Sequence, residues 1–236
     1  MTNININRLA KDIKNIYNDP IDNIYYKHDE DNILKGYALI IGPKNTPYQY
    51  GYYFFEFTFP ENYPFLPPKV KFCTNDGHTR FNPNFYVCGK VCLSLLNTWK
   101  GDGWTSCQNI RSILITLQST LNDKPLCNEP GINDKHRDYN SYNNMIHYKN
   151  IEVAILGIII KKYLDKKFFH FYDIIVEQYK KNYSNIIEDI NNFKLVLKDS
   201  SIQKFSIYAS EYLVNFKYLE KIIKNIDKDM QNININ

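Results

Sequence analysis

The chain has 236 residues, a net charge of +4, 44% hydrophobic and 15% aromatic residues. That is enough apolar material for one large domain, or a domain of about 150 residues with an appendix, and it excludes wholesale disorder. The basic residues are almost all Lys, with Arg only at Arg8, Arg80, Arg111 and Arg137, which disfavours a dedicated nucleic-acid reader, because guanidinium forks carry most base and phosphate recognition.

In chain order, Ile6, Leu9, Ile13 and Ile16 fall at helical spacing, and Asn18-Asp19-Pro20 predicts the end of that first helix. Residues 34–41 and 52–59 are aromatic and β-branched and read as strands, separated by the turn cluster Gly42-Pro43-Lys44-Asn45-Thr46-Pro47. A third strand, Lys69 to Phe72, follows Pro67-Pro68. Residues 74–109 form a long irregular stretch of the kind that usually carries function. Ile110, Ile113, Leu114, Leu117 and Leu121 then mark one face of a helix. All ten Pro lie between Pro20 and Pro130 and, after Gly131, Gly157 stands alone. The remainder is therefore expected to be helical, with segments near 150–164, 167–182 and 203–228 and a frayed tail over 231–236.

The longest apolar run, Ile151 to Ile160, includes Glu152 and is short of the about 20 residues a membrane helix needs. Met1 to Arg8 lacks a basic region followed by an apolar one, and five Cys is an odd number. Both features favour reduced thiols in a cytoplasmic or nuclear setting. Cys88 and Cys92 are four apart, but Cys107 and Cys127 are isolated and no His pair follows, so a zinc site is not expected. No Gly-rich phosphate cradle occurs, so no nucleotide site is expected. For Cys73, Cys107 and Cys127 the ordinary reading is a small apolar residue.

Around Cys92 a series of landmarks arrives in order: Asp31-Asn32, Gly42-Pro43, Thr46-Pro47-Tyr48, Gly51-Tyr52-Tyr53-Phe54, Tyr63-Pro64-Phe65, Pro67-Pro68-Lys69-Val70, Asn82-Pro83-Asn84, Gly89-Lys90-Val91-Cys92-Leu93 and Trp104. This stretch resembles the ubiquitin-conjugating (E2) family. Its fuller string, with Ser94-Leu95-Leu96-Asn97-Thr98-Trp99 and Asn128-Glu129-Pro130-Gly131, is similar to a branch of larger E2 enzymes with a helical C-terminal extension. His147 to Ala154 resembles the start of that extension.

The resemblance implies an α+β UBC fold: an N-terminal helix, a four-stranded antiparallel meander and C-terminal helices. It places the catalytic core at 1–135 and the extension at 136–230. It implies an enzyme that takes the C-terminal carboxyl of ubiquitin from an activating enzyme as a thioester on Cys92. The acyl group then passes to a lysine amine or a ligase cysteine. Asn84 stands where the family's Asn supports the oxyanion or the loop, and Glu129 where an acidic residue orients and deprotonates the incoming lysine. ATP is used upstream by the activating enzyme, and no cofactor or metal is implied for this chain. The first helix, with Arg8, Lys11 and Lys14, would dock the activating enzyme, and the loops bearing Phe65 and Trp104 would meet a ligase. Trp104-Thr105-Ser106-Cys107 departs from the family's usual turn after that Trp, so ligase choice is expected to differ. The branch also includes E2 enzymes that load a ubiquitin-like modifier, which is one alternative. The other is a non-catalytic E2-like binding module, which the presence of Cys92 disfavours.

Overall fold

The four strands form a meander because each connection is short and the apolar runs pair in sequence. β1 (Ile24–His28), β2 (Lys35–Ile41), β3 (Tyr52–Thr58) and β4 (Lys69–Phe72) lie in the order β1-β2-β3-β4, every neighbour antiparallel. The register sets Leu39 opposite Phe54 and Phe55 opposite Phe72. The turn cluster predicted between β2 and β3 closes where Gly42 donates to the Gly51 carbonyl at 2.8 Å and Thr46 Oγ1 donates to the Pro43 carbonyl at 2.7 Å. The computed structural model describes residues 3–233, and side chains over 6–230.

β3 alternates as a strand must, yet both of its faces are covered. Tyr53, Phe55 and Phe57 point one way, into a cluster where Phe55 meets Phe72 and Phe85 at 5.4 and 5.3 Å between ring centres, and Phe57 meets Tyr26 at 5.9 Å. Tyr52, Phe54 and Glu56 point the other way. There Phe54 packs on Phe168 at 4.7 Å, Tyr52 donates to the Ile175 carbonyl at 3.1 Å, and Lys167 pairs with Glu56 at 2.5 Å. Residues beyond 160 thus cover the outer face of the sheet, which is why the strand reads as a continuous apolar run.

α1 (Asn3–Asn18) buries Leu9 and Ile16 and lies against β1 and α2 (Ile110–Thr120). α2 opens on a capping box in which Asn109 accepts from the Ser112 backbone and Ser112 Oγ accepts in return. Its predicted stripe is buried throughout: Ile110, Ile113, Leu114 and Leu117.

The C-terminal part differs from expectation in its detail. α3 (Tyr139–Lys149) runs into a π-helical turn over Asn150–Gly157, so the helix expected near 150–164 begins earlier and ends with that turn's continuation. At the junction Asn150 is fully buried, donates to the Gln49 carbonyl at 2.9 Å and accepts from Tyr53 Oη at 2.6 Å. A 3-10 turn, Lys166–Phe171, precedes α4 (Tyr172–Phe193). The helix expected over 203–228 is corrected: the chain forms a hairpin, β5 (Ser201–Phe205) with β6 (Ser210–Val214), and only then α5 (Phe216–Ile233). The cause is a period of two, with Phe205, Tyr212 and Val214 inward and Ile202 and Leu213 outward. Asp199 and Asn215 then start α5 by accepting from the Phe216 and Tyr218 backbones at 2.7 and 2.9 Å. α5 carries helical backbone to Ile233, past the expected tail boundary, and residues 234–236 lie outside the described residues. The expected boundary at 135/136 falls in the loop before α3, and buried side chains from both sides of it form one contiguous core.

Candidate active site

The irregular stretch after β4 is held in place by short-range hydrogen bonds. Phe72 donates to the Gly89 carbonyl at 2.9 Å, and Gly89, at φ 89°, leaves so little room that a Cβ would sit 2.8 Å from the Phe72 carbonyl oxygen. Only glycine fits that turn. Three residues on, Cys92 donates its backbone N–H to the Asn84 carbonyl at 2.9 Å, and Asn84 Nδ2 donates to the Cys92 carbonyl at 2.7 Å. The two residues that the sequence singled out are thus tied together both ways. The loop beyond is closed by Thr98 Oγ1, which accepts from Leu93 N at 2.9 Å and bonds the Val91 carbonyl at 2.8 Å.

Behind Asn84 stands Asn82, fully buried. Its Nδ2 donates to Tyr48 Oη and to the Thr120 carbonyl, each at 2.9 Å, while its Oδ1 accepts from Asn84 N at 2.9 Å. Asn128 Nδ2 donates to the same Thr120 carbonyl at 3.0 Å. Asn82 therefore fastens the cysteine loop to the end of α2.

Next to Asn128, Glu129 is half-buried and faces Arg80, with 3.8 Å between Arg80 Nη2 and Glu129 Oε2. The Arg80 guanidinium lies between two rings, 4.0 Å from the centre of Tyr86 and 4.2 Å from that of Tyr208, and donates to the Pro83 carbonyl at 2.5 Å. Tyr208 Oη also donates to Glu129 Oε2. Burial, then its bond to Glu129, push the Tyr208 phenol above its ordinary range. Arg80 and Tyr208 were not singled out as functional residues in the sequence. Arg80 had a signal, being one of few Arg and adjoining the Asn82-Pro83-Asn84 motif; Tyr208 lies 79 positions from Glu129 and had none.

Among the cysteines, burial pushes the Cys73 thiol up to about 11, so it is protonated and unreactive at neutral pH. Cys92 is buried with 3% of its surface open, while Cys88 and Cys107 are exposed. Mapping with a maleimide at neutral pH is expected to label the exposed Cys88 and Cys107 first, ahead of half-buried Cys73 and buried Cys92; labelling of Cys73 as fast as that of Cys88 would contradict its raised thiol pKa.

The partner-facing residues separate. Lys11 and Lys14 are exposed on α1. Arg8 is committed within the molecule: it pairs with Asp12 at 3.0 Å and donates to the Ser106 and Gln108 carbonyls at 2.9 and 2.8 Å. It fastens α1 to the loop after Trp104. Trp104 is half-buried, donating Nε1–H to the Pro64 carbonyl at 2.6 Å, whereas Phe65 beside it is 69% exposed. Between the segment that leads into β4 and the cysteine loop runs a groove of about 610 Å³ lined by Leu66, Pro67, Val70, Val91 and Leu96.

Among the described residues no group of three or more His, Cys, Asp or Glu is arranged to hold a metal ion, and no helix is long and apolar enough to cross a membrane. A family model described as ubiquitin-conjugating enzyme matches residues 8–154, which include Cys92, Asn84 and Glu129. The chain belongs to the ubiquitin-conjugating enzyme family. The ubiquitin-conjugating enzyme E2 Z of Homo sapiens is 39% identical over 178 residues, covering 70% of this chain and 50% of that protein. A probable ubiquitin-conjugating enzyme protein 17 of Caenorhabditis elegans is 32% identical over 243 residues, covering 95% of this chain and 33% of that protein. The solved structure of human ubiquitin-conjugating enzyme E2 G1 aligns with a TM-score of 0.45 at 28% identity, covering 50% of this chain and 94% of that one. The chain thus spans about half the length of the E2 Z relatives it matches. The family and these E2 Z relatives establish an E2 of the large type with the UBC fold.

Proposed function

We propose that this chain is an E2 acyl carrier whose nucleophile is Cys92. The observation that carries the reading is the two-way hydrogen bonding between Asn84 and Cys92 inside the family-matched region. In the first step the Cys92 thiolate attacks the ubiquitin carbonyl held as a thioester on the activating enzyme. A new carbon–sulfur bond forms on Cys92, and the activating enzyme's cysteine leaves as thiolate. In the second, an acceptor amine or thiol attacks the same carbonyl carbon, the bond to Cys92 breaks, and the sulfur leaves as thiolate. A thiolate leaves readily, so what limits amine attack is stabilising the tetrahedral oxyanion and supplying a neutral amine.

Asn84 serves the first need. One amide hydrogen holds the Cys92 carbonyl, which keeps the loop in place, and the second hydrogen is the candidate oxyanion donor. Glu129 serves the second need: its carboxylate orients the incoming lysine and accepts its proton. Lys11 and Lys14 carry the contact with the activating enzyme, without Arg8. Phe65 and the loop of Trp104 form the ligase side. The chemistry fits a reducing cytoplasmic or nuclear setting, and ATP acts only upstream.

The test is a loading reaction with activating enzyme and ATP, run with ubiquitin and with ubiquitin-like modifiers side by side. The expected result is an adduct with ubiquitin that excess thiol removes. An adduct with a ubiquitin-like modifier alone would move the assignment to that modifier, and no adduct with any would overturn the reading.

A further inference from the structure

The Glu129 carboxylate is already occupied from within the chain. Tyr208 Oη donates to its Oε2, and the Arg80 guanidinium stands 3.8 Å from the same oxygen. Tyr208 sits at the tip of the β5–β6 hairpin, far outside the family-matched segment. The tip is latched: Asp138 accepts from Ser206 Oγ at 2.5 Å and from the Ile207 backbone at 2.8 Å, and Arg137 donates to Ser206 Oγ at 2.6 Å. The Tyr208 ring also meets Tyr142 edge-on at 6.0 Å. This seat is held against the backbone's preference, because Tyr208 and Ala209 take left-handed φ values of 63° and 46°. Consecutive non-glycine residues in that region persist only where surrounding contacts impose them.

An incoming lysine competes with this arrangement. Its ammonium needs the carboxylate that Tyr208 holds, and it meets the positive charge of Arg80. A lysine, with an ordinary pKa of about 10.4, also needs help to lose its proton. A thiol, at about 8.5, supplies its own reactive fraction at neutral pH and needs no carboxylate.

We infer that Tyr208 is a positioning residue that acts through Glu129 to bias the Cys92 thioester toward thiol acceptors and away from amines while the hairpin tip is seated. The inference rests on the carrier role of Cys92 and the lysine-directed role of Glu129 set out above. The two outcomes of transfer differ in their bonds. With a thiol, a carbon–sulfur bond forms on the acceptor as the one to Cys92 breaks. With an amine, a carbon–nitrogen bond forms, Cys92 leaves as thiolate, and the amine's proton passes to a base.

The experiment uses the full chain. The ubiquitin thioester is formed with activating enzyme and ATP, the ATP is then removed from reaction by chelating magnesium, and the thioester is chased with free lysine or with N-acetylcysteine. Tyr208→Phe keeps the ring over Arg80 and removes the donor. It is expected to speed discharge to lysine about threefold or more while leaving thiol discharge within about twofold of wild type. Adding Glu129→Gln to Tyr208→Phe is expected to erase the gain. Ser206→Ala, which loosens the latch without touching Glu129 or Arg80, is expected to give a smaller gain of the same kind, and it decides the matter if Tyr208→Phe unfolds. An unchanged or slower lysine discharge, an equal rise with both acceptors, or a gain that survives Glu129→Gln would overturn the inference. Failure of the wild type to form any thioester would overturn the carrier role, and the inference with it, so the two failures are distinguishable.

Discussion

Phe168→Ala is expected to lower folding stability by about 3–5 kcal/mol, read as a shift of the urea midpoint. Phe168 is 1% exposed, its ring centre lies 4.7 Å from that of Phe54 in a tilted pair and meets Tyr37 edge-on at 5.7 Å, and it belongs to the turn that lays the C-terminal part over the outer face of the sheet. Truncation removes the transfer energy of a ring and opens a cavity between two layers that cannot close around the stiff strands β2 and β3. Phe168→Leu should retain more than half of the lost stability, since it refills most of that space. If Phe168→Ala unfolded within about 1 kcal/mol of wild type, the C-terminal part would be an independent attachment, not a second wall of the core.

The second large effect lies behind the cysteine. Asn82→Ala removes one side chain and strips partners from Tyr48 Oη, the Thr120 carbonyl and the Asn84 backbone N–H. The unpairing cost, about 1–3 kcal/mol for a buried polar group, falls on the Asn84 N–H, because Tyr48 Oη still donates to the Phe81 carbonyl at 2.7 Å and Asn128 still serves the Thr120 carbonyl. A net loss of about 2–4 kcal/mol is expected, with a slower formation of the Cys92 adduct, because Asn84 is no longer fastened to the end of α2. Asn82→Asp is the informative companion: it keeps the acceptor for Asn84 N but loses both donated bonds. It should therefore fall between Asn82→Ala and wild type in loading rate. Equal loading rates for Asn82→Ala and wild type would show that the fastening does not reach the cysteine.

Much of the family-matched part is legible in the residues because local chemistry and tertiary packing agree there. The apolar stripe of α2, the β-rich runs that became β2, β3 and β4, and the turn residues between them each have a local cause that the fold respects. β1 is less visible in a pass along the chain, because Ile24–His28 is five residues long and its alternation is broken by adjacent tyrosines. The hairpin of β5 and β6 is hidden for a sharper reason. Its turn carries neither Gly nor Pro, and the left-handed positions that sequences usually give to Gly or Asn are taken by Tyr208 and Ala209. Without that punctuation, residues 203–214 read as part of the following helix.

The site divides along the same line. Cys92 and Asn84 stand out because the spacing between them is specific, and Glu129 only because Asn128-Glu129-Pro130-Gly131 resembles the family's segment there. The internal partners of Glu129 do not, because Arg80 and Tyr208 are joined to it only by folding. The commitment of Arg8 is equally invisible in the sequence, where it reads as one more basic residue on an exposed helix, and it becomes clear only once the Ser106 and Gln108 carbonyls are seen to face it.

In the proposed reaction Cys92 Sγ carries the modifier. The most direct test is the intact mass of the chain after reaction with activating enzyme, ATP and ubiquitin, for wild type, Cys92→Ser and Cys92→Ala. Expected are a gain of one ubiquitin less one water on wild type, removed by thiol; the same gain on Cys92→Ser, resistant to thiol and removed by alkali; and no gain on Cys92→Ala. A thiol-sensitive adduct that persists on Cys92→Ala would place the chemistry on another cysteine and contradict the carrier role of Cys92.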